Sequence, residues 1–200
     1  MKKILALLLI ISIGIFVIKT INILTLKQPK AVTISPIVLS IPTQTPLPNQ
    51  NNEVHSPDGT MKIIMKAENK TDGEIFYSFS ISDISGKNEK LLFAKTDLPK
   101  TTMLIPQNSF SPDNKYVFLQ ENKTNSLNAL VFKASTEPFE KNEQYRDVGS
   151  LLTQNKPGYS LTAVTGWASP ILLEVITRKE DSKKRESYWF VPKTQAFLIH

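Results

Sequence analysis

The sequence holds only two imidazoles, His55 and His200. His55 abuts a Ser-Pro-Asp-Gly turn and His200 is the last residue, so neither is placed like the base of a nucleophile pair, which needs a hydroxyl or thiol and an orienting acid within reach. A metal centre asks for several His, Cys or acidic ligands at geometric spacings. Asp58-Gly59 and Asp72-Gly73 lack the alternating oxygen ligands of a calcium loop and read as turns. Gly166-Trp167-Ala168-Ser169-Pro170 has the outline of a nucleophile elbow, but its serine is displaced and proline stands where glycine is required. With only seven glycines there is no phosphate-binding loop. These residues predict no enzyme, no metal and no cofactor. Trp167, Tyr188 and Trp189 are the candidate binding residues: exposed together they would stack on a sugar or peptide, whereas indoles in β repeats usually anchor a core.

The clearest pattern is a recurrence of turn chemistry. His55-Ser56-Pro57-Asp58-Gly59-Thr60 returns as Phe110-Ser111-Pro112-Asp113-Asn114-Lys115 and more weakly as Trp167-Ala168-Ser169-Pro170, with prolines 55 and then 58 positions apart. Proline presets φ, aspartate accepts from nearby backbone N–H groups, and glycine takes positive φ freely. Asn114 stands at the glycine position of the second copy, where asparagine is the next best tolerated residue. Ser56, Pro57, Asp58 and Gly59, with Ser111, Pro112, Asp113 and Asn114, are therefore structural corners. The third copy lacks Asp-Gly and needs a different turn.

Each corner must feed a sheet. Met61 to Met65 and Tyr116 to Leu119 are almost continuously apolar and predict strands covered on both faces. Ile171 to Ile176 follows Pro170. Second strands are expected at Glu74 to Ser82, which alternates with period two, at Leu127 to Ala134 and at Glu186 to Val191. Third strands are expected at Lys90 to Lys95 and Gln195 to Ile199. Between the second and third units, Ser135-Thr136-Glu137-Pro138 is a candidate start for one or two helical turns reaching Leu152, with Gly149 opposing a long helix.

This layout resembles the repeats of TolB-like β-propellers, in which a Ser-Pro-Asp-Gly turn opens the second strand of a four-stranded blade. The resemblance covers residues 54 to 200. It implies a scaffold for protein contact and transfers no functional residue, because the matched positions are turn formers. Propellers close with four to eight blades, and this chain has three units. The fold class is therefore all-β, with three sheet repeats in a propeller-like array, an open array or sandwich, or a ring completed by a second copy.

The first 26 residues read as a membrane anchor. Lys2 and Lys3 precede an apolar stretch from Ile4 to Leu26, interrupted by Lys19 and Asn22, and about 20 apolar residues span a bilayer. A cleaved secretory signal is the alternative, although no Ala-x-Ala site follows. Either reading exports the remainder and leaves it extracytoplasmic; cleavage would make it a secreted protein. Residues 27–52 hold five prolines among Thr, Gln, Ser and Asn, the composition of an extended linker. Residues 53–200 form one β-repeat domain.

The net charge of +6 belongs mostly to the anchor and linker: residues 1–53 carry five lysines against one acid. A nucleic-acid surface needs a basic patch in the folded part, and the nearest approach, Arg178-Lys179 with Lys183-Lys184-Arg185, is interrupted by Glu180, Asp181 and Glu186. No nucleic-acid partner is expected. Without cysteine the exported domain must be held by burial. The expected function is a membrane-anchored interaction scaffold, bound to the bilayer at its N-terminus and to an envelope protein or itself. The alternative is a sensor for an envelope glycan or peptide.

Overall fold

The structure is a computed structural model and describes residues 52–182 and 184–200. The expected anchor, 1–26, and all of the linker but Asn52 lie outside the described residues, as does Lys183. Among the described residues no helix is long and apolar enough to cross a membrane.

The described chain folds into three four-stranded antiparallel sheets in sequence order. Sheet I contains β1 (Asn52–His55), β2 (Met61–Asn69), β3 (Ile75–Asp83) and β4 (Lys90–Asp97). Sheet II contains β5 (Thr102–Leu104), β6 (Tyr116–Lys123), β7 (Ser126–Lys133) and the two-residue β8 (Arg146–Asp147). Sheet III contains β9 (Tyr159–Ser169), β10 (Leu172–Lys179), β11 (Arg185–Val191) and β12 (Ala196–Ile199). Each is a simple meander, so every strand pairs with its neighbour in sequence. All three corners open the second strand of a sheet. The strands expected as third in the first and last units are fourth strands. The first strands β1, β5 and β9 were not foreseen.

Burial explains why sheet II is the centre. Val117 and Leu119 on β6 join the cluster shared with Ile63, Met65, Tyr77 and Phe79 of sheet I. Phe118 between them joins Leu173, Val175, Tyr188 and Phe190 of sheet III. On β7, Leu130 and Phe132 turn to the first cluster and Ala129 and Val131 to the second. Residues 117–119 are all fully buried, as an apolar run demands when both faces are covered. The same expectation for Met61 to Met65 is corrected: Ile63 and Met65 are buried while Lys62 and Ile64 are half-buried, so β2 packs on one face only.

The faces follow one parity. In sheets I and II, side chains at even counts from the corner proline, Ile63 after Pro57 and Phe118 after Pro112, face the next sheet. Odd counts face backwards, as with Val117 and Leu119. In sheet III, Leu173 and Val175 after Pro170 face sheet II, leaving Leu172, Glu174 and Ile176 outward.

The helical expectation is displaced. A 3₁₀ turn covers Glu140–Asn142, and the helix α1 runs over Val148–Asn155, beginning near the point where the sequence suggested an end. Asp147 is its N-cap, accepting from the Ser150 N–H at 2.8 Å, which satisfies one orphan donor of the first turn. Gly149 is accommodated because the Asn128 side chain comes close: its Oδ1 accepts from the Gly149 N–H at 2.8 Å and would lie 2.6 Å from any Cβ placed there. Val148 and Leu152 then close the second core.

Adjacent residues on β6 should be equally intolerant of truncation. Phe118→Ala and Leu119→Ala are each expected to destabilise the protein by about 2–5 kcal/mol, whereas Ser80→Ala on half-covered β3 should change stability by less than about 0.5 kcal/mol. Chemical denaturation of the full chain in detergent measures all three.

Candidate interaction surface

The two complete corners have the same hydrogen-bond network. In the first, the Asp58 carboxylate accepts from Ser56 Oγ at 2.8 Å and from the Thr60 N–H at 2.9 Å. Ser56 Oγ in turn accepts from the Met61 N–H at 3.0 Å, and the Gly59 N–H closes the turn on the Ser56 carbonyl at 2.9 Å. In the second, Asp113 accepts from Ser111 Oγ at 2.8 Å and the Lys115 N–H at 3.2 Å, with Tyr116 N–H to Ser111 Oγ at 3.0 Å and Asn114 N–H to the Ser111 carbonyl at 2.9 Å. Pro57 and Pro112 occupy the position where a fixed φ is preset, and Gly59 and Asn114 follow at φ of 70° and 58°. The third corner is a two-residue link, Pro170-Ile171, between Ser169 and Leu172. It is built without an acid, as its sequence requires.

Electrostatics shows what these acids do. The Thr60 backbone N–H, followed by the Ser56 and Thr60 hydroxyls, holds the Asp58 carboxyl far below the usual carboxylate range. Burial pushes Asp113 up, but Lys115 and Ser111 outweigh it and the net direction is also down. Both acids are fixed as anions inside their turns. A cavity of about 440 Å³ beside them is lined by Met61, Asn114, Tyr116, Ala134 and the lysines Lys115 and Lys133.

A charged cluster between sheets I and II escaped the sequence reading. Glu121 on β6 is 3 % exposed and pairs with Lys95 of β4 and, at 3.0 Å, with Lys123. Lys95 also meets Asp97 at 2.8 Å. Burial raises the Glu121 carboxyl, while the two lysines lower it by more, so it is ionised. Lys95 and Glu121 lie 26 residues apart, and nothing local signals their meeting.

The three aromatics of interest do not form one surface. Trp167 stacks on Tyr116 with centroids 5.8 Å apart and donates its indole N–H to the Ser109 carbonyl at 2.8 Å, tying β9 to the loop before β6. Tyr188 is buried in the second core and donates to Glu186 at 2.6 Å. Trp189, the next residue, points to the opposite face, where it meets His200 edge-on at 4.5 Å. The basic stretch forms the β10–β11 tip, where Lys179 pairs with Asp181 at 3.1 Å. His55 sits at the end of β1 on Glu53 at 2.6 Å. Among the described residues no three His, Cys, Asp or Glu side chains converge.

Among the described residues, one face at each end of the series is uncovered. The outward face of sheet I carries Lys62, Ile64 and Lys66, with Ile64 aligned to Ser80 and Leu91 across the strands. The outward face of sheet III carries Leu172, Glu174 and Ile176, with Glu174 aligned to Trp189 and Leu198. The large apolar side chains exposed among the described residues are Ile84, Leu91 and Leu98 at sheet I and Ile171, Leu198 and Ile199 at sheet III. Sheet II, covered twice, contributes none.

Comparison with known proteins found no family model that matches the chain and no curated protein similar to it.

Two variants test the corner and the charged cluster. Ser111→Ala, at a fully buried hydroxyl that both donates and accepts, should cost about 1–3 kcal/mol, while Asn114→Gly should be neutral within about 0.5 kcal/mol because glycine accepts positive φ. Glu121, depressed in the folded state, contributes stability above its unfolded value near 4.3 that is lost as pH falls through the lower folded value. Glu121→Gln should therefore lower stability at pH 7 by about 2 kcal/mol and shrink the difference from the parent below pH 4. Denaturation at a series of pH values reads both effects.

Proposed function

We propose that the chain is a membrane-anchored, extracytoplasmic interaction scaffold whose three sheets are arranged like propeller blades and present their uncovered faces to protein partners in the cell envelope. The observation that carries this reading is the partition of apolar surface: sheet II is buried on both faces, and the exposed large apolar residues lie on or beside the terminal sheets, with Leu91 and Leu198 on their outward faces. Apolar side chains on an otherwise uncovered sheet face are where a partner would gain by burial. The apolar stretch from Ile4 to Leu26 supports an anchor, and the Pro-rich residues 27–51 support a spacer that holds the sheets off the bilayer.

The propeller-like arrangement is supported by three consecutive meanders with their corners at the same strand and by one parity of packing throughout. The chemistry on the page is binding chemistry. The corner acids are spent on donors of their own turns, and the cluster at Glu121 neutralises itself. The sensor alternative asked Trp167, Tyr188 and Trp189 to share a surface; two of them face sheet II and the third faces away, so no observation favours it.

In cells, the full chain should remain in the membrane fraction after alkaline carbonate, with its C-terminal part cleaved by protease added from the extracytoplasmic side. Crosslinking should join it to a defined envelope partner, and Leu91→Asp with Leu198→Asp should abolish that adduct. A carbonate-soluble, cytoplasmic product, or one that crosslinks to nothing, contradicts the reading.

A further inference from the structure

We propose that the partner is a second copy of this chain: the outward face of sheet III of one copy docks on the outward face of sheet I of the other, twice, closing two copies head to tail into a ring of six sheets. The inference rests on the scaffold reading and names its partner. Six sheets fall within the four to eight that close a ring.

Repetition of packing is the first argument. Counted from the corner proline, Leu172, Glu174 and Ile176 stand on the parity of Ile63 and Phe118, which pack on the next sheet within the chain. Lys62, Ile64 and Lys66 stand on the parity of Val117, Leu119 and Glu121, which pack on the preceding sheet. The two uncovered faces are thus the forward and backward faces of the same unit. Each would be covered by the contact that sheets I and II already make.

Charge is the second. Lys66 lies nine residues after Pro57, the place that Glu121 holds after Pro112. Glu121 meets a lysine, Lys95, from the preceding sheet. Lys66 is exposed and carries the opposite sign, so an acid on the opposing face would complement it. The forward face of sheet III offers Glu174, whose carboxylate is held by Thr165 Oγ1 at 2.6 Å and Ser187 Oγ at 3.2 Å.

Area is the third. Sheets I and III each hold four strands of between 4 and 11 residues, and at a spacing of about 4.8 Å these give a face on the order of 400 Å². Two such contacts bury on the order of 1,600 Å² over both partners, the size of a standard specific interface. A head-to-tail contact that closes gives a discrete dimer and no filament.

The sequence contains no cysteine, so introduced thiols report unambiguously. In membranes holding the full chain, Leu91→Cys combined with Leu198→Cys should be joined by a short bismaleimide into a dimer, while neither single variant should crosslink. Lys66→Glu and Glu174→Lys should each weaken dimerisation at least tenfold, and the two together should restore it; Lys66 is exposed, so its reversal leaves the core intact. A ladder of higher species, a crosslink through Leu198→Cys alone, or charge reversals without effect would overturn the proposal. A monomer that still crosslinks to another envelope protein would overturn it and leave the scaffold reading standing. A monomer that crosslinks to nothing would overturn both.

Discussion

A sheet that is apolar on both faces must be covered twice, and this constraint at sheet II organises everything around it. Val117, Phe118 and Leu119 are consecutive and fully buried. Neighbouring strand residues point in opposite directions, so no single neighbour can bury all three. Sheet I takes Val117 and Leu119; sheet III and α1 take Phe118. Each outer sheet then has one satisfied face and one open face.

The corners make this stacking regular. Ser56 and Ser111 each bridge the aspartate two residues on and the backbone N–H five residues on, so the chain leaves both turns with the same strand parity. Because parity decides which side chains meet which sheet, a slip of one residue in a corner would exchange the buried and exposed sets of the following strand. The turn acids are therefore depressed in pKa for a structural reason: the Thr60 backbone N–H at Asp58, and the Lys115 and Ser111 side chains at Asp113, stabilise the anion that holds the register.

How much of this the sequence discloses depends on whether the signal is local. The corners are legible because proline, aspartate and glycine act over four residues, and β3 is legible because Ile75, Tyr77, Phe79 and Ile81 alternate without a break. β9 is not, since register shifts along its pairing with β10 disturb the alternation; β5 and β8 are too short to carry a period. β2 misleads because Ile64 is apolar on a face that the described chain leaves open, while Met61 packs with Ile63 and Met65 on the covered one. Ser135-Thr136-Glu137-Pro138 has the outline of a helix start, whereas the helix is capped by Asp147, an acid followed by Val148 and accepting from the Ser150 N–H. The pairing of Glu121 with Lys95 and the separation of Trp189 from Trp167 are facts of three-dimensional placement that no local pattern encodes.

Hydrogen–deuterium exchange of the full chain tests the twofold covering of sheet II most directly. Amides of β6 and β7 should be the slowest to exchange in the protein, slower than those of β4 and β12 at the outer edges. Exchange of β6 as fast as that of β4 would mean that sheet II is not enclosed between two neighbours, and the account of the terminal faces would fall with it.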